Sequence, residues 1–224
     1  MKYTPELVTA YVEKRADFNE TDRALIECLK EVDVKNKAVI DIGCGGGNHA
    51  RLIKAMGASR VVGVDVNEKM IALAKSSGHE GSGVEFMVAD GKNLPIESGS
   101  IDVVFTNFVV HYFASAKKIF QEMARVLKVG GHVIATFNIT DVDLGFEHLY
   151  NQAMPIRLGR GEDTIVVQNL MKARAEIEEA MKESGLAVLE ERELDHPNAV
   201  VDDSFADKEH IRKHAVLFVS QKRG

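Results

Sequence analysis

Residues 38–57 read AVIDIGCGGGNHARLIKAMG. A short run rich in β-branched residues leads to an acid, Asp41. Four glycines in five positions follow, Gly43, Gly45, Gly46 and Gly47, and then a helical pattern. A strand feeding a glycine-rich turn and a helix is a nucleotide-holding arrangement. Three ligand classes compete for it. A phosphate loop needs GxxxxGK[ST], and no lysine follows these glycines. A dinucleotide site needs GxGxxG, but counting from Gly43 gives Gly43, Gly45 and then Asn48. What is present is D-x-G-x-G-x-G, formed by Asp41, Gly43, Gly45 and Gly47. The third class is an adenosyl ligand without phosphates, and the glycine turn alone is weak evidence among the three.

Working outward, apolar runs alternate with helical patterns. Strands are expected at Ala38–Ile42, Arg60–Asp65, Val84–Ala89, Ile101–Thr106 and His132–Phe137. Asn67 caps the helix EKMIALAKSSG, and Ser115 caps AKKIFQEMARVLK, whose apolar residues share one face. Gly130 and Gly131 are expected to stop that second helix. The alternation predicts a doubly wound α/β fold with a mostly parallel, seven-stranded sheet. The last two strands are Ala187–Glu193 and His214–Ser220. The final one arrives without a full crossover helix and is expected to be antiparallel. One domain spans 1–224. It has an N-terminal helical cap (1–35), a core (36–138) and an irregular lid insert (139–170). A helix at about 171–184, ended by Gly185, and the two strands complete it. The charge-rich LEEREL reads as an edge strand.

The whole chain narrows the function classes. It has 224 residues, 45% apolar and 28% charged, with a net charge of −6. An acidic chain is poorly built for non-specific nucleic-acid binding, which cationic surface drives. No apolar run approaches the roughly 18 residues of a membrane span. The opening MKYTPELVTAYVEKR carries charges and a proline where a signal peptide needs apolar residues. The expected setting is therefore the cytoplasm, with a small-molecule partner, no nucleic acid and no membrane, as a monomer or homodimer. Cys28 and Cys44 have no metal-like spacing and are expected to be reduced thiols. No metal site is expected.

Five motifs in register resemble the class I S-adenosylmethionine-dependent methyltransferases. The similarity is to the small-molecule branch that includes ubiquinone/menaquinone C-methyltransferase-like enzymes. They are DIGCGGG; VVGVDVN with Asp65; VEFMVADGKNLPIESGSIDVVFTN with Asp90; FTNFVVHYF; and EMARVLKVGGHVIATF, where Val129 stands in place of the family's usual proline. The resemblance covers about residues 36–138. It implies a Rossmann-like fold, S-adenosylmethionine as cofactor and S-adenosylhomocysteine as product. Asp65 would hold the ribose hydroxyls, and Asp90 with Gly91 the adenine. Asp41, Gly43, Cys44, Gly45, Gly47, Val66, Asn107, Phe108 and Tyr11 would complete the cofactor site. Asp41 is equally able to accept the turn's own N–H groups, and Asp65 and Asp90 have turn-residue alternatives.

The resemblance implies methyl transfer to a small acceptor by direct displacement. His111 and Asn107 are the catalytic candidates. His111 is either a general base or a packing residue beneath the cofactor. Tyr3, His111, Tyr112, His148 and Arg157 are the substrate-side candidates, with Tyr150 and Arg160 also in the insert; Tyr3 and Tyr11 have a packing alternative. An arginine fork suits a carboxylate or phosphate, which points to an anionic acceptor. Amino-directed nucleic-acid methyltransferases carry [DN]PP[YF] after the fourth strand, and here the stretch is TNFV. Two other readings stay open. One is an enzyme that moves or cyclises the aminocarboxypropyl group; the other is a cofactor-binding domain without catalysis.

Overall fold

The computed structural model describes residues 20–77, 83–140, 153–158, 165–170, 172–194 and 215–224. Helix α1 (Glu20–Glu31) comes first. Then β1 (Ala38–Ile42), α2 (Asn48–Ala55), β2 (Arg60–Asp65), α3 (Glu68–Ser76) and β3 (Val84–Val88) follow in turn. A turn-rich segment leads to β4 (Ile101–Asn107), a 3-10 turn (Val110–Tyr112), α4 (Ala116–Val126) and β5 (Leu127–Thr140). The remainder is β6 (Ala153–Leu158), β7 (Ile165–Leu170), β8 (Lys172–Ala173), α5 (Arg174–Glu183), β9 (Leu186–Leu194) and β10 (Ala215–Lys222).

The main sheet runs β3-β2-β1-β4-β5-β10-β9. Strands β1 to β5 are mutually parallel, and β10 is antiparallel to both β5 and β9. The expected seven-stranded, mostly parallel sheet is therefore present, with β10 reversed. After β3 the chain crosses back to lay β4 on the other side of β1. Strand order reverses at that point, and this opens a crevice beyond the strand ends.

The central strands are apolar on both faces, as buried parallel strands must be. Val39, Val61, Val103 and Phe105 meet α1 and α2 through Leu25, Leu29 and Ile53. Ile40, Ile42, Val62, Val64 and Val104 belong to the opposite layer, with Ile119, Phe120 and Met123 of α4 and Met181 of α5. Each such side chain contributes roughly 1.5–3 kcal/mol by leaving water. Cys28 and Cys44 are both buried free thiols. Edge strand β9 carries Glu190, Glu191 and Arg192; Arg192 binds Glu31 at 2.9 Å and also Glu190. Charge of this kind discourages further strand pairing.

Three local expectations need correction. Helix α4 ends at Val126, before Gly130 and Gly131, because the buried Leu127 is already extended and pairs with Ile101. Residues 128–131 bulge opposite Asp102 before His132 pairs with Val103. The insert is not irregular throughout. Strands β6 and β7 form an antiparallel pair from Ala153↔Leu170 to Leu158↔Ile165, and β5 continues to Thr140. Helix α5 starts at Arg174, because Lys172 and Ala173 extend alongside Ile139 and Thr140. Among the described residues no helix is long and apolar enough to cross a membrane.

Candidate active site

The ends of β1 to β4 surround a cavity of about 630 Å³ at the crevice. Its first wall is backbone. The Gly43 and Cys44 N–H groups donate to the Val64 carbonyl at 2.8 and 2.9 Å, which folds the glycine turn across the end of β2. Gly43 has φ +74°, and a Cβ there would lie 2.2 Å from Val109 Cγ2. Only glycine satisfies both the conformation and the space. Gly45 has φ +51°, yet no heavy atom lies within 4 Å of where its Cβ would be. It faces open cavity, a cradle that an incoming ligand can approach closely. Arg51 braces the turn from α2, donating to the Gly46 carbonyl at 2.6 Å.

Asp65 ends β2 on the cavity wall. Its Oδ2 accepts the Gly45 N–H and its Oδ1 the Asn67 N–H, both at 2.9 Å. A carboxylate has about four acceptor sites. These bonds orient the group and leave one site on each oxygen, which suits two neighbouring hydroxyls. Asn67 also caps α3, its side chain accepting the Lys69 N–H. Val66 is 74% exposed, an unusual state for a large apolar residue, and it lines the cavity with Met70. Asp90 and Gly91 follow β3. Asp90 accepts the Lys92 N–H at 3.0 Å and pairs with the Lys92 ammonium at 3.4 Å.

Asp41, Cys44 and Gly47 lie outside this wall. Asp41 is 2% exposed. One oxygen accepts the Ala50 N–H at the start of α2, and Oδ2 has no hydrogen-bond partner. Burial pushes its carboxyl up to about 7, against the opposing pull of the nearby His49 ring. His49 itself meets Asp22 at 3.1 Å. Cys44 is buried in the turn, and burial raises its thiol well above the usual range.

The second wall comes from the end of β4. Asn107, Phe108, Val109, Tyr112 and Phe113 line it. Phe108 has φ +55°, a left-handed conformation that a bulky residue avoids and that costs on the order of 1–3 kcal/mol. Its N–H donates to both the carbonyl and the Oγ1 of Thr136 on β5, at 3.0 and 3.1 Å. His111 is buried, at 2% exposure, and does not line the cavity. Its ring stands edge-on to Tyr112 with centroids 4.4 Å apart. Partial burial raises the Tyr112 phenol above its ordinary pKa. Strand β7 lies against the 3-10 turn that carries His111.

The structure thus brings together Gly43, Gly45, Asp65, Val66, Asp90, Gly91, Asn107, Phe108 and Tyr112. Tyr3, Tyr11, His148, Tyr150 and Arg160 lie outside the described residues. Arg157 falls on β6, opposite Val166. Sequence reasoning missed Lys92, Met70 and Phe113 as cavity residues, and Thr136 as the partner of the β4 end. Met70 was within reach, since it lies one helical turn beyond Val66. Thr136 carries no local signal, being 29 residues from Asn107.

The methyltransferase-domain family matches residues 40–135. A phthiotriol/phenolphthiotriol dimycocerosates methyltransferase of Mycobacterium leprae is 32% identical over 104 residues, covering 46% of this chain and 38% of that protein. A malonyl-[acyl-carrier protein] O-methyltransferase of Legionella pneumophila is 27% identical over 118 residues, covering 52% and 42% respectively. The chain spans about two fifths of the length of these relatives. An S-adenosylmethionine dependent methyltransferase from Mesorhizobium loti matches in structure with a TM-score of 0.68 at 21% identity, over 94% of this chain and 100% of that one. That likeness concerns the fold, and it agrees with the strand order found here. Motif, domain match and sheet topology converge: residues 40–135 match the methyltransferase-domain family, and the described residues have the fold of an S-adenosylmethionine-dependent methyltransferase.

Proposed function

We propose that this protein transfers a methyl group from S-adenosylmethionine to a small molecule bearing an anionic group, in the cytoplasm. One observation carries the reading. The Asp65 carboxylate is fixed by the Gly45 and Asn67 N–H groups, with an acceptor site left on each oxygen at the mouth of an open glycine cradle. That arrangement fits a ribose diol, and the Asp65 carboxylate would repel a phosphate placed there.

When bound, S-adenosylmethionine supplies a methyl group already activated on a sulfonium. The chain's own contribution is position and exclusion of water. Gly43 and Gly45 let the backbone approach the amino-acid end. Asp65 accepts the ribose hydroxyls, and Asp90 with the Gly91 backbone addresses the adenine. Val66 and Met70 give the nucleoside an apolar surface. Asn107, Phe108 and Tyr112 border the side from which the acceptor enters. His111 holds the Tyr112 ring from behind and does not itself reach the ligand, in keeping with its burial. Lys92 on the cavity wall, and Arg157 on the hairpin whose partner strand lies against the 3-10 turn, support an anionic acceptor.

The test is product analysis by mass after incubation with S-adenosylmethionine and a panel of small acids. S-Adenosylhomocysteine marks methyl transfer. Methylthioadenosine as sole product would replace this reading with aminocarboxypropyl chemistry. Acid affinities left unchanged by Arg157→Ala would remove that residue from the argument for an anionic acceptor.

A further inference from the structure

We infer that Thr136 locks the Asn107 side chain so that it presents its amide N–H₂ to the cavity. The site then selects a methyl acceptor that offers an oxygen lone pair and disfavours an amine. This deepens the function proposed above and rests on it.

The polarity follows from a chain of obligatory donors. The Phe108 N–H can only donate, and it is shared between the Thr136 carbonyl at 3.0 Å and Thr136 Oγ1 at 3.1 Å. Thr136 is fully buried. With one lone pair used, its hydroxyl proton goes to Asn107 Oδ1 in a short hydrogen bond. A reversed Asn107 amide would leave that buried proton with no acceptor among the described residues. The Asn107 carbonyl oxygen is therefore engaged inside the protein, and the Nδ2 group, which donates only, remains. No hydrogen bond to Nδ2 occurs among the described residues, and Nδ2 is not among the buried unpaired atoms. Asn107 lines the cavity at the end of β4, beside Phe108 and Gly43. A fixed donor matched to a substrate oxygen discriminates, because an amine whose lone pair attacks the methyl meets N–H with N–H. Thr136 is the positioning residue and Asn107 the group that touches the ligand.

The acceptor need not be known to test this. Sinefungin replaces the methyl sulfonium of S-adenosylmethionine with a carbon-borne ammonium, a donor at the transferred position. Calorimetry would compare its affinity with that of S-adenosylhomocysteine. The wild-type protein is expected to favour S-adenosylhomocysteine. Asn107→Asp, which puts an acceptor where the N–H₂ was, is expected to shift the ratio towards sinefungin by about tenfold or more. S-Adenosylhomocysteine affinity is measured in each variant alongside, so that the ratio reports the transferred position rather than the site as a whole. Thr136→Val should move the ratio partway, and Thr136→Ser should restore it. An unchanged ratio in Asn107→Asp with intact S-adenosylhomocysteine binding would overturn this proposal alone, as would a wild-type preference for sinefungin. Failure of the wild type to bind either compound would overturn the methyltransferase reading, and this proposal with it.

Discussion

The two walls of the cavity are built differently. The wall from β1 to β3 is local. Gly43 and Gly45 bond to residues at the end of the adjacent β2, and Asp65 is oriented by an N–H two residues on and another twenty back. The wall from β4 is assembled at a distance. Phe108 is held in a left-handed conformation by Thr136, 28 residues later, and the 3-10 turn is backed by β7 of the insert. On the proposed reading the first wall meets the adenosyl ligand and the second borders the acceptor. Cofactor binding would then rest on short-range backbone geometry, and acceptor choice on long-range side-chain placement.

That contrast can be broken by substitution. Gly43→Ala should have the largest effect. Its Cβ would collide with Val109 at 2.2 Å and its φ is +74°, so the collision pushes one wall into the other. S-Adenosylhomocysteine affinity should fall by about 100-fold or more by calorimetry. Retained affinity would mean that the two walls do not depend on this contact. Asp65→Ala should come next. It removes the diol acceptor and unpairs two N–H groups, each worth about 1–3 kcal/mol if left unsatisfied. A loss of roughly 30-fold in the same measurement is expected, with little change in the second wall.

The legibility of the sequence follows the same division. Strands β1 and β2 have the bounds expected from their apolar runs, Ala38–Ile42 and Arg60–Asp65. Each is flanked by a strand on both sides, with β1 running directly into Gly43 and β2 ending at Asp65. The glycine turn was legible from its spacing, and Asp65 from its place in the second of the five motifs that carry the resemblance. The hairpin β6–β7 was not recognised, although AMPIRL and IVVQNL are two short runs separated by Gly159 and Gly161, which is a hairpin signal. Pro155 falls within the first run, opposite Gln168, where an edge position tolerates it. The Thr136–Asn107 pairing was illegible in principle, since it depends on the register of β4 against β5. Gly130 and Gly131 misled because tertiary pairing of Leu127 overrides a local helix-stop signal.

Two smaller effects sharpen the comparison. Asp41 supports the first wall from beneath, and its carboxyl is raised to about 7 by burial. The unfolded chain ionises near the ordinary carboxylate range while the folded protein still holds the proton. Asp41 therefore contributes stability at acid pH that is lost as pH rises from about 4 to about 7. Asp41→Asn should flatten that slope and raise Tm at pH 8, by roughly 2–4 °C for each kcal/mol relieved. Equal Tm differences at pH 5 and pH 8 in scanning calorimetry would show that Asp41 does not titrate this way. His111→Phe should have the smallest effect. If the ring only supports Tyr112, the rate falls by less than about tenfold and the pH profile keeps its shape. Loss of an ionisation from that profile would restore His111 as a general base.

The central claim is that the glycine turn and Asp65 form a site for an adenosyl ligand without phosphates. Titration calorimetry of the wild-type protein with S-adenosylhomocysteine, and separately with NAD, tests it most directly. The account predicts saturable binding of S-adenosylhomocysteine that Asp65→Ala weakens, and no binding of NAD. Binding of NAD without S-adenosylhomocysteine would contradict it.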